Sequence, residues 1–186
     1  PSAPEDGQGR PPLQAREVMA EEPENPTGLN DYDRVISSLI KHQVDFMIIG
    51  GIAVIYHGHV RDTKDMDLFV RPTPENADRT VAALEEAGLG CPELTPEVFT
   101  ADNGISIGET PVKLDVLSKL PGVSFDEAWA NRETSVYGDQ AVNYIGLDDL
   151  IKNKRAVGRL ADLADVEKLE LARKVARSSR ALNRLP

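Results

Sequence analysis

Apolar residues recur along this chain with two different periods, and the change of period separates predicted helices from predicted strands. From about residue 30 the apolar positions follow a helical period, which predicts a helix of about three turns. Its apolar side chains are Val35, Ile36, Leu39 and Ile40. The segments DFMIIGG and DMDLFV are apolar runs of strand length, and IAVIYHG between them is predicted as a short helix.

Capping residues mark the ends of the next predicted elements. Thr73 can cap a helix whose first position is Pro74, and Gly88 stops that helix. Ser124 is predicted to cap the short helix SFDEAWANR. Each cap supplies a side-chain oxygen for a backbone N–H that has no partner within the helix.

Strand pairs and two further helices are predicted in the second half of the chain. Between residues 91 and 109 only GISIG has a strand pattern, and it is predicted to pair with PVKLDVL across the turn ETP. The segment TSVYGDQAVNYI alternates around Gly138-Asp139, which is typical of a hairpin. The last helices are predicted at about 148–157 and 161–176, separated near Gly158.

This order of elements predicts an α/β (α+β) fold with a small mixed sheet, flanking helices and a helical C-terminal end. Residues 1–28 hold six of the 13 prolines and are predicted to be an acidic, proline-rich tail or linker. Residues 29–186 are predicted to form one domain, with a core at 29–120 and a hairpin and C-terminal helices at 121–186.

The charge of the chain bears on its partners. With 31 acidic and 21 basic residues the net charge is −10, so the whole molecule has no general attraction for nucleic acid. After Glu170, however, the sequence is basic and has no acidic residue. No apolar run approaches the ~20 residues of a membrane span, and the single cysteine, Cys91, fits a reducing compartment, so the expected location is the cytoplasm without a membrane partner.

Two aspartates in the strand DMDLFV are the first candidates for chemistry. Asp65 and Asp67 are two positions apart, so their side chains share one face of the strand while Met66 lies on the other. Like charges on one face repel, and aspartate is disfavoured in strands, so the pattern costs stability unless a cation lies between the carboxylates. Mg²⁺ binds hard carboxylate oxygens together with water and phosphate oxygens.

A third carboxylate, Asp115, lies in VKLDVL on the face opposite to Leu114 and Val116. If the two strands are neighbours, three aspartates converge, as a two-metal site about 3.5–4 Å wide requires. A solvated sheet face or a turn is the usual alternative for such aspartates. Gly50 and Gly51 lie between a strand and a helix, where exposed N–H groups can receive phosphate oxygens, although Gly-Gly also occurs as a plain turn.

Together these residues resemble the signature of the DNA polymerase β superfamily of nucleotidyltransferases. The shared pattern is an apolar strand, Gly50-Gly51, a short helix, and the run from Arg61 through Thr63 to Asp65 and Asp67. The ending LDDLIKNKRAVGRLADLADVEKL is similar to small bacterial proteins of the abortive-infection toxin type (AbiEii/DUF6036). The resemblance covers about residues 30 to 172 and implies a polymerase-β-like nucleotidyltransferase fold.

The resemblance also implies residue roles. Asp65 and Asp67 would bind two Mg²⁺ (or Mn²⁺) ions, and Asp115 would bind one and help to deprotonate the acceptor hydroxyl. The other implied residues would contact the triphosphate, and they are Gly50, Gly51, Arg61, Lys64, Lys154 and Arg159. A solvated surface pair is the alternative for Arg61 and Lys64.

One position departs from the family pattern. Many relatives have a basic residue before the aspartate of the last motif, whereas this chain has Ala161 before Asp162. A missing cation beside phosphates costs about 1.5–3 kcal/mol, which puts full activity in question. Asp162 and Asp165 also suit the start of a helix, and the structural interpretation is preferred for Asp165.

The expected function is Mg²⁺-dependent transfer of a nucleoside monophosphate from an NTP to a hydroxyl group, with release of pyrophosphate. The acceptor is open: tRNA would suit the basic C-terminal segment, and an aminoglycoside-type small molecule or a protein would suit the acidic total charge. The toxin-like ending raises a toxin of a toxin–antitoxin pair, with an antitoxin protein as partner. The alternative is a catalytically weakened module that binds a nucleotide or a partner.

Overall fold

A computed structural model describes residues 31–63, 65–101, 103–109 and 112–182 of the protein. The helices are α1 (Asp31–Lys41), α2 (Gly50–Tyr56), α3 (Pro74–Glu86), α4 (Pro96–Thr100), α5 (Phe125–Ala130), α6 (Leu147–Val157) and α7 (Leu160–Leu182). The strands are β1 (Phe46–Ile48), β2 (Asp65–Val70), β3 (Gly104–Glu109), β4 (Val112–Leu117), β5 (Glu133–Tyr137) and β6 (Gln140–Tyr144).

The strands form one mixed sheet in the order β3-β4-β2-β1-β6-β5. β2 and β4 run parallel, as do β1 and β6, while the other neighbouring pairs are antiparallel. A parallel pair needs a long crossover, and here α3, α4 and β3 lie between β2 and β4 in the chain. β2, which carries two of the predicted aspartates, is therefore a central strand with partners on both sides.

The two faces of β2 and β4 differ in character. Met66, Leu68, Leu114 and Val116 share one face and are buried. Val35 of α1 and Leu114 of this face line one cavity, so α1 lies beside it. The opposite face starts with carboxylates and becomes apolar towards the end of β2, where Phe69 meets Phe125 of α5 edge-on with ring centroids 5.0 Å apart.

The structure confirms the predicted fold class and most of the predicted elements. Thr73 accepts a hydrogen bond from the N–H of Asn76, and Ser124 accepts one from the N–H of Glu127, so both predicted caps are confirmed. The β5–β6 hairpin turns at Gly138 and Asp139 as predicted. None of the helices in the described residues combines the length and the hydropathy that crossing a membrane requires.

Three outcomes differ from the predictions or lie beyond the structure. Helix α4 was not predicted, because its five residues are too few to show a helical period. Helix α7 extends to Leu182, six residues past the predicted end. The tail at 1–28 and Lys64 fall outside the described residues, so the predictions about them stay predictions.

Candidate active site

The pairing of β2 with β4 brings the three predicted aspartates to one patch of the sheet. Asp67 lies opposite Asp115, and Asp65 lies opposite Lys113, in the parallel register of the two strands. Residues opposite each other or two positions apart share a face, so all four side chains stand on the same side of the sheet. The conditional prediction that the two strands are neighbours is confirmed.

Asp67 is a largely buried carboxylate with two other carboxylates beside it. Burial raises the pKa of its carboxyl, and the negative charges of Asp115 and Asp65 raise it further. The N–H of Gly51 donates to this carboxylate, and with Lys113 it opposes the rise in the pKa without cancelling it. The net effect is a raised pKa, so the groups of the protein around Asp67 do not fully stabilise its negative charge.

The two glycines make room for this arrangement. Gly50 has φ +60°, and a Cβ built on it would lie 1.9 Å from Oδ2 of Asp67. A Cβ on Gly51 would lie 2.4 Å from Oγ1 of Thr63, in the loop that leads into β2. Both values are far below ordinary contact distances, so the Gly-Gly pair lets the start of α2 approach β2 and its preceding loop.

Asp115 is held by groups of the chain itself. Lys113 donates from Nζ to Oδ2 of Asp115 at 2.8 Å, and Ser106 on β3 donates to Oδ1. The negative charges of the aspartates raise the pKa of Lys113, chiefly through its hydrogen bond to Asp115. Among the residues that the structure describes, no three His, Cys, Asp or Glu side chains form a ready metal-binding group.

The donor chemistry nevertheless fits a divalent cation. Asp65, Asp67 and Asp115 offer hard carboxylate oxygens on one face, and burial together with the neighbouring carboxylates raises the pKa of Asp67. Lys113, whose side chain is one-third exposed, supplies the positive charge in this arrangement. A bound cation would require the Lys113 ammonium to move away from Asp115.

Lys154 lies in a buried network of charges between α6 and α7. Its Nζ is 2.7 Å from Oδ2 of Asp165 and 3.1 Å from Oδ1 of Asp162, and each of these three side chains is only 6% exposed. Arg61 reaches the same network, with Nη1 2.6 Å from Oδ2 of Asp165. This network therefore ties α6, α7 and the loop before β2 to one another.

Arg159 closes the network on the solvent side. Its Nε is 2.7 Å from Oδ2 of Asp162, and its side chain is largely exposed. Burial opposes ionisation of Asp162, but the hydrogen bonds from Arg159 and Lys154 outweigh it and lower the pKa of Asp162. The negative charge of Asp67 also contributes to the raised pKa of Arg159, which places this guanidinium within electrostatic reach of the aspartate patch. Ala161 leaves no cation before Asp162, but Asp162 already binds two.

A family model described as "Nucleotidyl transferase of unknown function (DUF2204)" matches residues 28–184. The chain belongs to this family. Its general activity is therefore nucleotidyl transfer, and the predicted superfamily is confirmed. The abortive-infection branch of that superfamily stays a prediction. A comparison with curated proteins gives no match.

One solved structure agrees with this nucleotidyltransferase at the level of the fold, and a second has a lower TM-score. The lincosamide antibiotic adenylyltransferase LnuA, bound to lincomycin, matches with a TM-score of 0.50 at 14% identity, over 75% of this chain and 94% of that one. The antibiotic-resistance factor ANT(2'')-Ia matches with a TM-score of 0.46 at 15% identity, over 82% of this chain and 92% of that one. At 14% identity the likeness to the lincosamide adenylyltransferase shows the fold alone.

Sequence reasoning missed part of this nucleotidyltransferase site. Asp165 was assigned to the helix start, but its carboxylate binds Lys154 and Arg61. The spacing of Asp162 and Asp165 places them on adjacent turns of one helix face, which was the available signal. The two-residue period of a strand already places Lys113 beside Asp115, whereas the contact of Ser106 with Asp115 depends on the register of β3 and β4, which the sequence does not specify.

We expect Gly50→Ala to reduce nucleotidyl transfer about 100-fold, since a Cβ at this position forces the Asp67 carboxylate away from its place. The measurement is transfer per folded molecule, with folding checked by circular dichroism. Gly88→Ala is the matched control, because Gly88 also has a positive φ but its Cβ would meet only a side-chain atom at 3.7 Å. That control is expected to lose about 1 kcal/mol of stability and no activity. Equal activity in the two variants would contradict the account.

We expect Asp67→Asn to stabilise the protein at neutral pH in the presence of a chelator. The folded state retains the Asp67 proton above the ordinary pKa of 3.8, where the unfolded chain has released it. The free energy of unfolding of the wild type therefore falls as pH rises from that value through the raised pKa. The variant lacks this fall, so its advantage should vanish in acid. Chemical denaturation across this pH range tests the prediction, and parallel profiles for the two proteins would refute it.

Proposed function

We propose that this chain is a Mg²⁺- or Mn²⁺-dependent nucleotidyltransferase whose reaction takes place at the patch of Asp65, Asp67 and Asp115. The observation that carries the proposal is the register of β2 and β4, which sets Asp67 opposite Asp115 with Asp65 on the same face. The negative charges of these carboxylates repel one another, so keeping them together costs stability. A function that needs several negative oxygens in one place accounts for that cost.

The three aspartates would hold the metal ions, which when bound supply positive charge to the triphosphate and to the leaving pyrophosphate. Asp115 would also take up the proton of the acceptor hydroxyl as its oxygen attacks the α-phosphorus. Ser106 would orient the Asp115 carboxylate through its hydrogen bond to Oδ1, while the Lys113 ammonium moves away from Oδ2. The bond from the α-phosphorus to the bridging oxygen of pyrophosphate breaks as the bond to the acceptor oxygen forms.

Positive and N–H groups around the patch would bind the triphosphate. Gly50 and Gly51 begin α2 beside Asp67, so their backbone lies at the edge of the aspartate patch. Arg61 and Arg159 lie at the accessible side of the buried network, whereas Lys154 is enclosed by Asp162 and Asp165. We propose Arg61 and Arg159 as direct phosphate ligands, Lys64 as a further one, and Lys154 as a residue that acts on phosphate only after its carboxylate partners shift.

The acceptor is proposed by class. A small hydroxyl compound, a tRNA end and a protein side chain are the three candidates, and a toxin role with an antitoxin partner goes with the last two. The test incubates the protein and Mg²⁺ with α-labelled NTPs and, separately, with aminoglycosides and lincosamides, total RNA, or lysate protein. Label transfer to one class, lost in Asp67→Ala, supports the proposal and names the acceptor. Transfer that persists in Asp67→Ala would contradict it.

A nucleotide-binding module without catalysis is the second candidate. The observation in its favour is the engagement of Asp115 by Lys113 and Ser106, which occupies oxygens that the reaction needs. This candidate predicts NTP binding that depends on Asp67 but no label transfer to any acceptor class. The labelling experiment and a binding assay together separate it from the first.

A further inference from the structure

Helix α7 carries exposed apolar side chains on the side that is turned away from α6. Eight large hydrophobic residues are strongly exposed in the described part of the chain, and four of them lie on α7. They are Leu160, Leu163, Leu171 and Val175. The buried residues Val166 and Leu169 mark the opposite side of the helix, which contacts α6. Scattered surface apolar residues need no explanation, but such a concentration on one helix side is typical of an interface.

The stripe is straight along the helix. With about 100° per residue, Leu160, Ala164, Leu171 and Val175 fall within a sector of about 60°, and Leu163 lies about 60° outside it on one side. From Leu160 to Val175 the stripe is about 22 Å long at about 1.5 Å per residue.

Two exposed charges decide which occupant fits this stripe. Glu167 precedes Leu171 by four residues and Lys174 follows it by three, and both lie on the same edge of the stripe, between it and Leu163. Consider two copies of α7 that pack antiparallel and meet at Leu171. A two-fold axis relates them, so the charged edge of one helix lies against the charged edge of the other, and the two chains run in opposite directions. Glu167 of each copy then faces Lys174 of the other copy, which gives two such pairs in the dimer. In a parallel pair unlike edges meet, and this complementarity is lost.

We propose that the α7 stripe is the interface of a symmetric dimer of this chain, in which two α7 helices pack antiparallel about Leu171. Each copy contributes the apolar stripe as the centre and Glu167 and Lys174 as one charged edge. The proposal is independent of the nucleotidyl-transfer reaction. It uses the face of α7 that is turned away from Asp162 and Asp165, so the charge network remains intact in the dimer.

The test measures the mass of the full chain in solution by sedimentation and light scattering over a range of concentrations. The wild type is expected to show a monomer–dimer equilibrium. Glu167→Lys places like charges opposite each other at two symmetric points and is expected to weaken the dimer about tenfold or more. Lys174→Glu is expected to do the same, and the double variant Glu167→Lys/Lys174→Glu is expected to restore the wild-type affinity. Only a self-complementary antiparallel edge predicts this rescue.

Two apolar variants complete the design. Leu171→Asp is expected to leave a folded monomer at all concentrations, since Leu171 is exposed and its replacement disturbs only the interface. Val136→Asp is the matched control, because Val136 is equally exposed but lies on β5, and its dimer should equal the wild type. A wild type that is monomeric up to its solubility limit, which would leave the stripe to a different protein, overturns the proposal. A dimer that is indifferent to the single charge reversals overturns it as well.

Discussion

Asp67→Ala is expected to lower nucleotidyl transfer by about 10³-fold or more, because it removes the central carboxylate of the aspartate patch. Asp67 lies opposite Asp115 and accepts the N–H of Gly51, so no other side chain in the described residues can take its place. The variant should fold at least as stably as the wild type without metal, since a strained negative charge is gone. The measurement is the initial rate of label transfer from an α-labelled NTP.

Asp62→Ala is the matched control for this loss. Asp62 is an exposed aspartate in the loop just before β2, close in sequence to Asp65 but not on the sheet face. Surface substitutions of this kind change free energies by about 0.5 kcal/mol or less, so its activity should stay within about twofold of the wild type. If both variants lost activity alike, a general disturbance of the loop would explain the result better than the aspartate patch.

Asp165→Ala is expected to cost about 3 kcal/mol of unfolding free energy, because it removes the nearer of the two carboxylates that compensate the buried Lys154 ammonium, and also the partner of Arg61. Oδ2 of Asp165 binds both Lys154 and Arg61, at 2.7 and 2.6 Å. Chemical denaturation of the metal-free protein measures the loss. Replacing both partners, as in Lys154→Met/Asp165→Leu, is expected to recover part of it, since a buried pair exchanged for apolar side chains is often nearly neutral.

An exposed ion pair between the same two helices provides the comparison. Asp148 of α6 pairs with Arg173 of α7 at 2.7 Å, and the Asp148 side chain is 71% exposed. Asp148→Ala is expected to cost at most about 1 kcal/mol, because solvent screens such pairs. Equal losses in Asp148→Ala and Asp165→Ala would show that burial of the Lys154 network adds nothing to stability.

The aspartate patch could be predicted from the sequence because the two-residue period of a strand fixes which side chains share a face. Asp65 and Asp67 needed only that rule, and Asp115 needed one assumption, that its strand adjoins β2. The structure shows that β4 does pair with β2. No local sequence pattern specifies this pairing, because α3, α4 and β3 lie between the two strands in the chain.

The charge network could not be predicted because its members come from three separate segments. Lys154 and Asp165 were both noted in the sequence, one as a phosphate ligand and the other as a residue of the helix start. Their contact depends on how α6 and α7 pack after the turn at Gly158, which has φ +71°. The packing of α6 against α7 thus buries the Asp165 carboxylate, which the helix-start interpretation does not require. It also buries Lys154 more deeply than is expected of a phosphate ligand.

The most direct test of the account is a thermal-shift measurement of the wild type with each NTP, in the presence and absence of Mg²⁺ or Mn²⁺, alongside Asp65→Ala, Asp67→Ala and Asp62→Ala. An NTP present at 100 times its dissociation constant stabilises the folded state by about 2.7 kcal/mol. The account predicts a stabilisation that requires both NTP and metal, is lost in the first two variants and persists in the third. No stabilisation by any NTP, or equal stabilisation in all the variants, would contradict a metal-dependent nucleotide site at these aspartates.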